Sequence, residues 1–255
     1  MVMNRILSSI LSFSIAGMAL VGCKGDENTP TPTPTPAIPT GKVGMYWSHT
    51  WGSGPFSMEA NLVSDQGDTL YFERGKYYLT NFELIKSNDS VYVEKESYRM
   101  INLADPASMI LNFNQVPTGS YKAIRFMVGV DSARNMSGAQ TGALDPANGM
   151  FWSWSTGYIH FKVEGKHGIA RQPFAYHIGG FRRNQVAMRT VTLNANFVVE
   201  KDSVQGLLIG ADLKKMFDGP NPIVVRQEPD ITLPGPVAQG IADNIKQMFK
   251  FDGLR

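Results

Sequence analysis

The side chains with most chemistry to offer are four histidines, His49, His160, His167 and His177. A neutral imidazole nitrogen binds transition metals and can carry a proton near neutral pH. No two of them stand at i, i+2 or i, i+4, so the chain has no local metal motif, and any site must be assembled by the fold. His49 lies in Tyr46-Trp47-Ser48-His49-Thr50-Trp51. His177 precedes Ile178-Gly179-Gly180, where a ring bonded to backbone in a tight turn is its ordinary role. Trp152 and Trp154 fall on one side if their segment is extended, and two indoles on one face commonly form a core wedge. Asp131, Asp145 and Glu164 could cap turns or hold calcium, but no Asp-x-Asp-x-Asp-Gly loop is present, and Asp145-Pro146 starts a turn. The thirteen methionines are scattered without a Met-x-x-Met cluster, which reads as gap-filling in a core. No Gly-x-Ser-x-Gly elbow, His-Glu-x-x-His, Walker loop or dinucleotide fingerprint occurs, so the chain reads as a binding protein and not an enzyme.

The single cysteine, Cys23, excludes an intrachain disulfide and a thiolate zinc cluster. Ahead of it stand Arg5 and an apolar run over 6–21, broken by Ser8, Ser9, Ser12 and Ser14, which reads as a secretory signal over 1–22. Leu20-Val21-Gly22-Cys23 looks like a bacterial lipobox. Cleavage before Cys23 would expose its thiol to diacylation, and two or three acyl chains at about 0.8 kcal/mol per buried CH₂ anchor a protein stably in a membrane. Residues 23–41 carry Lys24-Gly25-Asp26-Glu27 and then strict Thr-Pro repeats over 29–36, which favour an extended polyproline stalk. The acidic stretch resembles the export signal of Bacteroidetes surface lipoproteins. The expectation is an outer-membrane lipoprotein, facing the periplasm or the cell surface, with its folded domain over 42–255.

Lys plus Arg number 24 against 22 Asp plus Glu, and no basic stripe appears, which argues against a nucleic-acid partner. Of 255 residues 43% are hydrophobic and 18% charged, enough for a sizeable core. Short stretches rich in aromatic and β-branched residues recur at 70–72, 76–85, 90–93, 109–113, 123–130, 158–163, 172–178 and 186–199, separated by turn residues. Arg189 to Phe197 alternates with period two, as a strand with one buried face requires. Helical patterns are confined to 211–217 and 237–249. The fold class is therefore all-β, an antiparallel β-sandwich with long loops and short C-terminal helices. A strandless stretch over 130–149 is long enough to suggest a functional loop.

The mature domain resembles the MbnP-like family, a methanobactin-associated group of lipoprotein-type proteins. The resemblance rests on blocks in order: Lys76-Tyr77-Tyr78-Leu79-Thr80-Asn81, Val116-Pro117-Thr118-Gly119-Ser120-Tyr121, Gly129-Val130-Asp131-Ser132, 142–158, Lys162-Val163-Glu164-Gly165 and Tyr176-His177-Ile178-Gly179-Gly180. It implies copper as cofactor, held by two histidines and, in some members, by a kynurenine made from a tryptophan. It also implies a di-haem cytochrome c peroxidase-like partner, an outer-membrane transporter, and a membrane contact through the lipid anchor. Carried onto this sequence, the ligands are His49 and His177, with Trp152 or Trp154 as the modified residue. An intact indole has only an N–H to donate, whereas the opened ring has an aryl amine and a ketone. Asp131 is a candidate to orient a ligating imidazole. The resemblance departs at Phe151 and Ser153, where copper-binding members carry histidines beside the paired tryptophans. Two readings stay open: copper capture or delivery, and a non-metal surface module recognising glycan, peptide or a membrane partner through 130–149.

Overall fold

The computed structural model describes residues 38–138, 140–153 and 156–255. The expected signal over 1–22, Cys23, all of the Thr-Pro repeats over 29–36 and Trp154 lie outside the described residues. The strands in chain order are β1 (Thr40–Trp51), β2 (Gly54–Pro55), β3 (Leu62–Val63), β4 (Thr69–Lys86), β5 (Val91–Val93), β6 (Arg99–Asn102), β7 (Ile110–Pro117) and β8 (Gly119–Val128). They continue as β9 (Phe151–Ser153), β10 (Gly157–His167), β11 (Gln172–Gly179), β12 (Arg189–Val199), β13 (Val204–Asp212), β14 (Asp230–Ile231) and β15 (Phe249–Leu254). Among the described residues three short α-helices interrupt them, α1 (Ser132–Met136), α2 (Lys215–Asp218) and α3 (Pro236–Lys246). None is long and apolar enough to cross a membrane.

Two sheets pack face to face. The smaller runs β15-β13-β1, with β7 and β2 both on the far side of β1; the larger runs β12-β8-β4-β10-β11-β14. Alternation builds the interface between them: on β12, Val191, Leu193, Ala195, Phe197 and Val199 are buried while Thr190, Thr192, Asn194 and Asn196 face water. Met45 and Trp47 of β1 and Leu207 and Ile209 of β13 meet Tyr77, Phe126 and Phe161 from the larger sheet in one continuous core. Trp47 packs edge-on to Phe126 with ring centroids 5.3 Å apart, and Tyr77 stacks on Phe161 at 4.9 Å. Helix α3 closes one edge with Ala238, Ile241, Ala242 and Ile245.

The all-β sandwich with short helices is what the sequence implies, but the sheets are mixed. β1 pairs in parallel with β13, and β11 with β14. The helix expected over 211–217 shrinks to α2, because Ala211 is still in β13, opposite His49. The helix expected to reach 249 stops at Lys246, and Phe249 opens the edge strand β15.

The larger sheet is also covered on its outer face. Tyr78, Val130, Leu144, Met150, Tyr158 and Ile159 form a second buried cluster there. The strandless stretch is thus a packed cap: Tyr78 and Tyr158 hydroxyls donate to the carbonyls of Ala143 and Leu144 at 3.0 and 2.6 Å. Buried Asn135 pins it from the other end, donating to Val130 O at 2.7 Å and accepting from Tyr158 N at 2.8 Å.

Candidate metal site at the end of the first strand

His49 stands near the end of β1, where a hairpin turns at Trp51–Gly54. The turn needs the left-handed conformation of Gly52, with φ of 60°, and Asp212 fixes it by accepting from Gly52 N at 2.8 Å. His49 O then accepts from Phe56 N at 3.1 Å, which folds the following residues back beside the imidazole. The ring faces the interior between the sheets. Its Nε2 lies 2.8 Å from the hydroxyl of Tyr77 on β4, whereas Nδ1 is buried with no hydrogen-bond partner.

That orphan nitrogen needs a physical reason, since a buried polar atom without a partner is costly. Burial holds the His49 pKa at about 4, so the ring is neutral at physiological pH. Burial also raises the Tyr77 phenol, which stays protonated. Two residues back on the same face of β1, the indole Nε1 of Trp47 is likewise buried and unpartnered. A cleft of about 440 Å³ opens at this end, lined by His49, Phe56, Met58, Glu59, Leu103 and Met109. Asp105 sets its far wall by accepting from Ala107 N at 3.0 Å, which caps the 3₁₀ turn Pro106–Met109.

His177 lies elsewhere. Its neighbours Tyr176 and Ile178 point into the core between the sheets, so by strand alternation His177 points to the outer face of the larger sheet. There its Nε2 meets Glu164 Oε1 at 2.8 Å, and Glu164 also accepts from Arg74 at 3.0 Å and Lys162 at 3.1 Å. Burial works to raise the Glu164 carboxyl, but hydrogen bonds from His177, Arg74 and Lys162 overcome it and hold it at about 2. Burial lowers the His177 pKa against the pull of Glu164. The sheet itself therefore separates His49 from His177, and the expected two-histidine set is not brought together.

Trp152 is on the same outer face as His177, not beside His49. Its ring covers Gly179, where a Cβ would come within 2.6 Å of the indole and 2.7 Å of the Tyr158 carbonyl. The Trp152 indole packs against the outer cluster, which is the core-wedge role. Phe151 packs edge-on against Tyr158 at 4.9 Å in the same cap. Asp131 caps α1 through Arg134 N at 3.0 Å and accepts from the Tyr98 hydroxyl at 2.6 Å, so it orients no histidine. His160 is consumed by backbone on both nitrogens. Among the described residues no group of three or more His, Cys, Asp or Glu is placed to hold a metal. Sequence reasoning missed the two methionines of the cleft, which no local motif could flag.

The MbnP family profile matches residues 40–233. No curated protein matches the chain. Among solved structures, MbnP from Methylosinus trichosporium is similar at 13% identity with a TM-score of 0.49, covering 71% of this chain and 78% of that one.

Proposed function

The chain belongs to the MbnP family, and from that premise we propose that it is a lipid-anchored extracytoplasmic protein that captures a metal ion, copper, at His49 for storage or delivery. One observation carries the reading: the buried Nδ1 of His49 has no partner although the other ring nitrogen is held by Tyr77. An imidazole must be neutral to ligate, and a partner on one nitrogen fixes which nitrogen offers its lone pair. In the tautomer whose Nε2–H donates to the Tyr77 hydroxyl, Nδ1 is the atom that offers its lone pair to the metal. Imidazole suits copper in both its oxidation states. Acylated Cys23 and the Thr-Pro stretch would hold this domain off an outer membrane. His177 serves as a structural partner of Glu164 and takes no part in binding.

The test is copper content at equilibrium for the full-length chain, its His49→Ala variant and its His177→Ala variant, with thermal melting as the check on folding. The expected result is one copper per chain, lost in His49→Ala and retained in His177→Ala. Copper retained without His49, or lost without His177, contradicts the assignment.

A further inference from the structure

We propose that the thioethers of Met58 and Met109 complete the His49 site and make it selective for Cu(I). The proposal rests on the copper reading above and adds the ligand set and oxidation state. Met58, Met109 and His49 line one cleft although they come from three separate segments. Met58 follows the β1–β2 hairpin that folds back beside His49. Met109 ends the 3₁₀ turn, and the β1–β7 register explains why it arrives there. Leu111 lies opposite Met45 and Ile110 opposite Tyr46, so Met109 enters alongside the Trp47–His49 end of the strand.

Both methionines are partly buried and pack against the main core, so their side chains are held at the cleft wall. The remaining lining mixes apolar Phe56, Leu103 and Ala104 with polar Ser57 and Glu59, and its lone carboxylate, Glu59, belongs to an exposed residue. Hard divalent ions need several oxygen ligands, and the side chains lining this cleft include a single carboxylate. Soft thioethers with one imidazole favour Cu(I) over Cu(II) and over zinc. A methionine here is therefore more than a gap-filler, and coordination involves no electron transfer.

The experiment is anaerobic Cu(I) competition against a chromophoric chelator, on the full-length chain, the Met58→Leu/Met109→Leu double variant and His49→Ala. Leucine conserves volume, so the double variant keeps its packing. The expected result is a loss of Cu(I) affinity of about tenfold or more in the double variant, with Cu(II) affinity unchanged and both ions lost in His49→Ala. Unchanged Cu(I) affinity in the double variant, with copper still lost in His49→Ala, overturns the thioether ligands and leaves the copper reading standing. Absence of copper binding in the unaltered chain overturns both. X-ray absorption at the copper edge of the unaltered Cu(I)-loaded chain gives a second readout: sulfur in the first shell supports the proposal, and a shell of nitrogen and oxygen alone overturns it.

Discussion

Replacing Asp68 by alanine is expected to cost about 3 kcal/mol of stability, read as a drop in the urea midpoint at constant slope. The carboxylate is 2% exposed, and its residue sits in the turn between β3 and β4, which backbone closes through Ser64 N donating to Asp68 O at 3.0 Å. The carboxylate accepts from Val225 N at 2.8 Å, from Arg226 N at 3.4 Å and from the Arg226 guanidinium at 2.9 Å. Those contacts tie the start of the longest strand to the segment that leads into β14. Alanine leaves one buried amide with no acceptor, which is the expensive part of the loss. Arg226 is half exposed and can turn to water, so the cost belongs at the lower end for a broken buried ion pair. Asparagine, which keeps an oxygen for the Val225 amide, should recover about half of it. A midpoint shift below about 1 kcal/mol would show that this clasp does not hold the two segments together.

Acid should weaken the fold well before the carboxylates protonate, and His160 is one of its two main sources. Its Nδ1 accepts from Val130 N at 3.2 Å and its Nε2 donates to Gly180 O at 3.1 Å, so both nitrogens are committed in the neutral ring. A second ring proton would face the Val130 N–H. Burial, with a further push from Arg189 and against the Gly180 hydrogen bond, holds the pKa at about 4 against an ordinary 6.5. Between those values the unfolded chain binds a proton that the folded chain refuses. Stability is therefore complete above pH 6.5 and falls as the pH is lowered toward 4, by up to about 3 kcal/mol from this residue. His49, lowered to about 4 by burial, adds to the same slope. Urea unfolding at pH 7.5 and pH 5.0 should show the fall, and His160→Gln should flatten it without abolishing it. An identical pH dependence in the variant would remove His160 as a source.

Much of the sandwich is legible in the sequence because its strands alternate, as Arg189–Val199 does without a break. The long strand Thr69–Lys86 reads as two pieces, since the bulge where it pairs with Glu164 and Gly165 spoils the alternation. β1 and β13 are hidden by their glycines. A Cβ at Gly41 would meet the Glu200 carbonyl at 2.3 Å and one at Gly210 the Asp252 carboxylate at 2.4 Å, so these glycines serve close approach where the sequence suggests breaks. The stretch at 130–149 reads as a long loop because its buried apolar residues Val130 and Leu144 follow no period; with Met150 just beyond it, they bury themselves one at a time on the second face of the sheet.

The candidate site is half legible in the sequence. His49 stands out by its aromatic setting, and the fold gives it an unpartnered nitrogen. The pairing with His177 fails on a point that alternation alone cannot decide, namely which face of a sheet covered on both sides a residue takes. Met58 and Met109 carry no sequence signal, because a turn and a register bring them to His49 from distant segments.

His49 Nδ1 is the atom we propose takes the metal. Diffraction from copper-loaded crystals of the protein, measured on both sides of the copper absorption edge, tests it most directly. An anomalous peak at bonding distance from His49 Nδ1, in the cleft walled by Met58 and Met109, is the predicted result. A peak at the His177–Glu164 patch on the opposite face of the sheet, with none at His49, would contradict it.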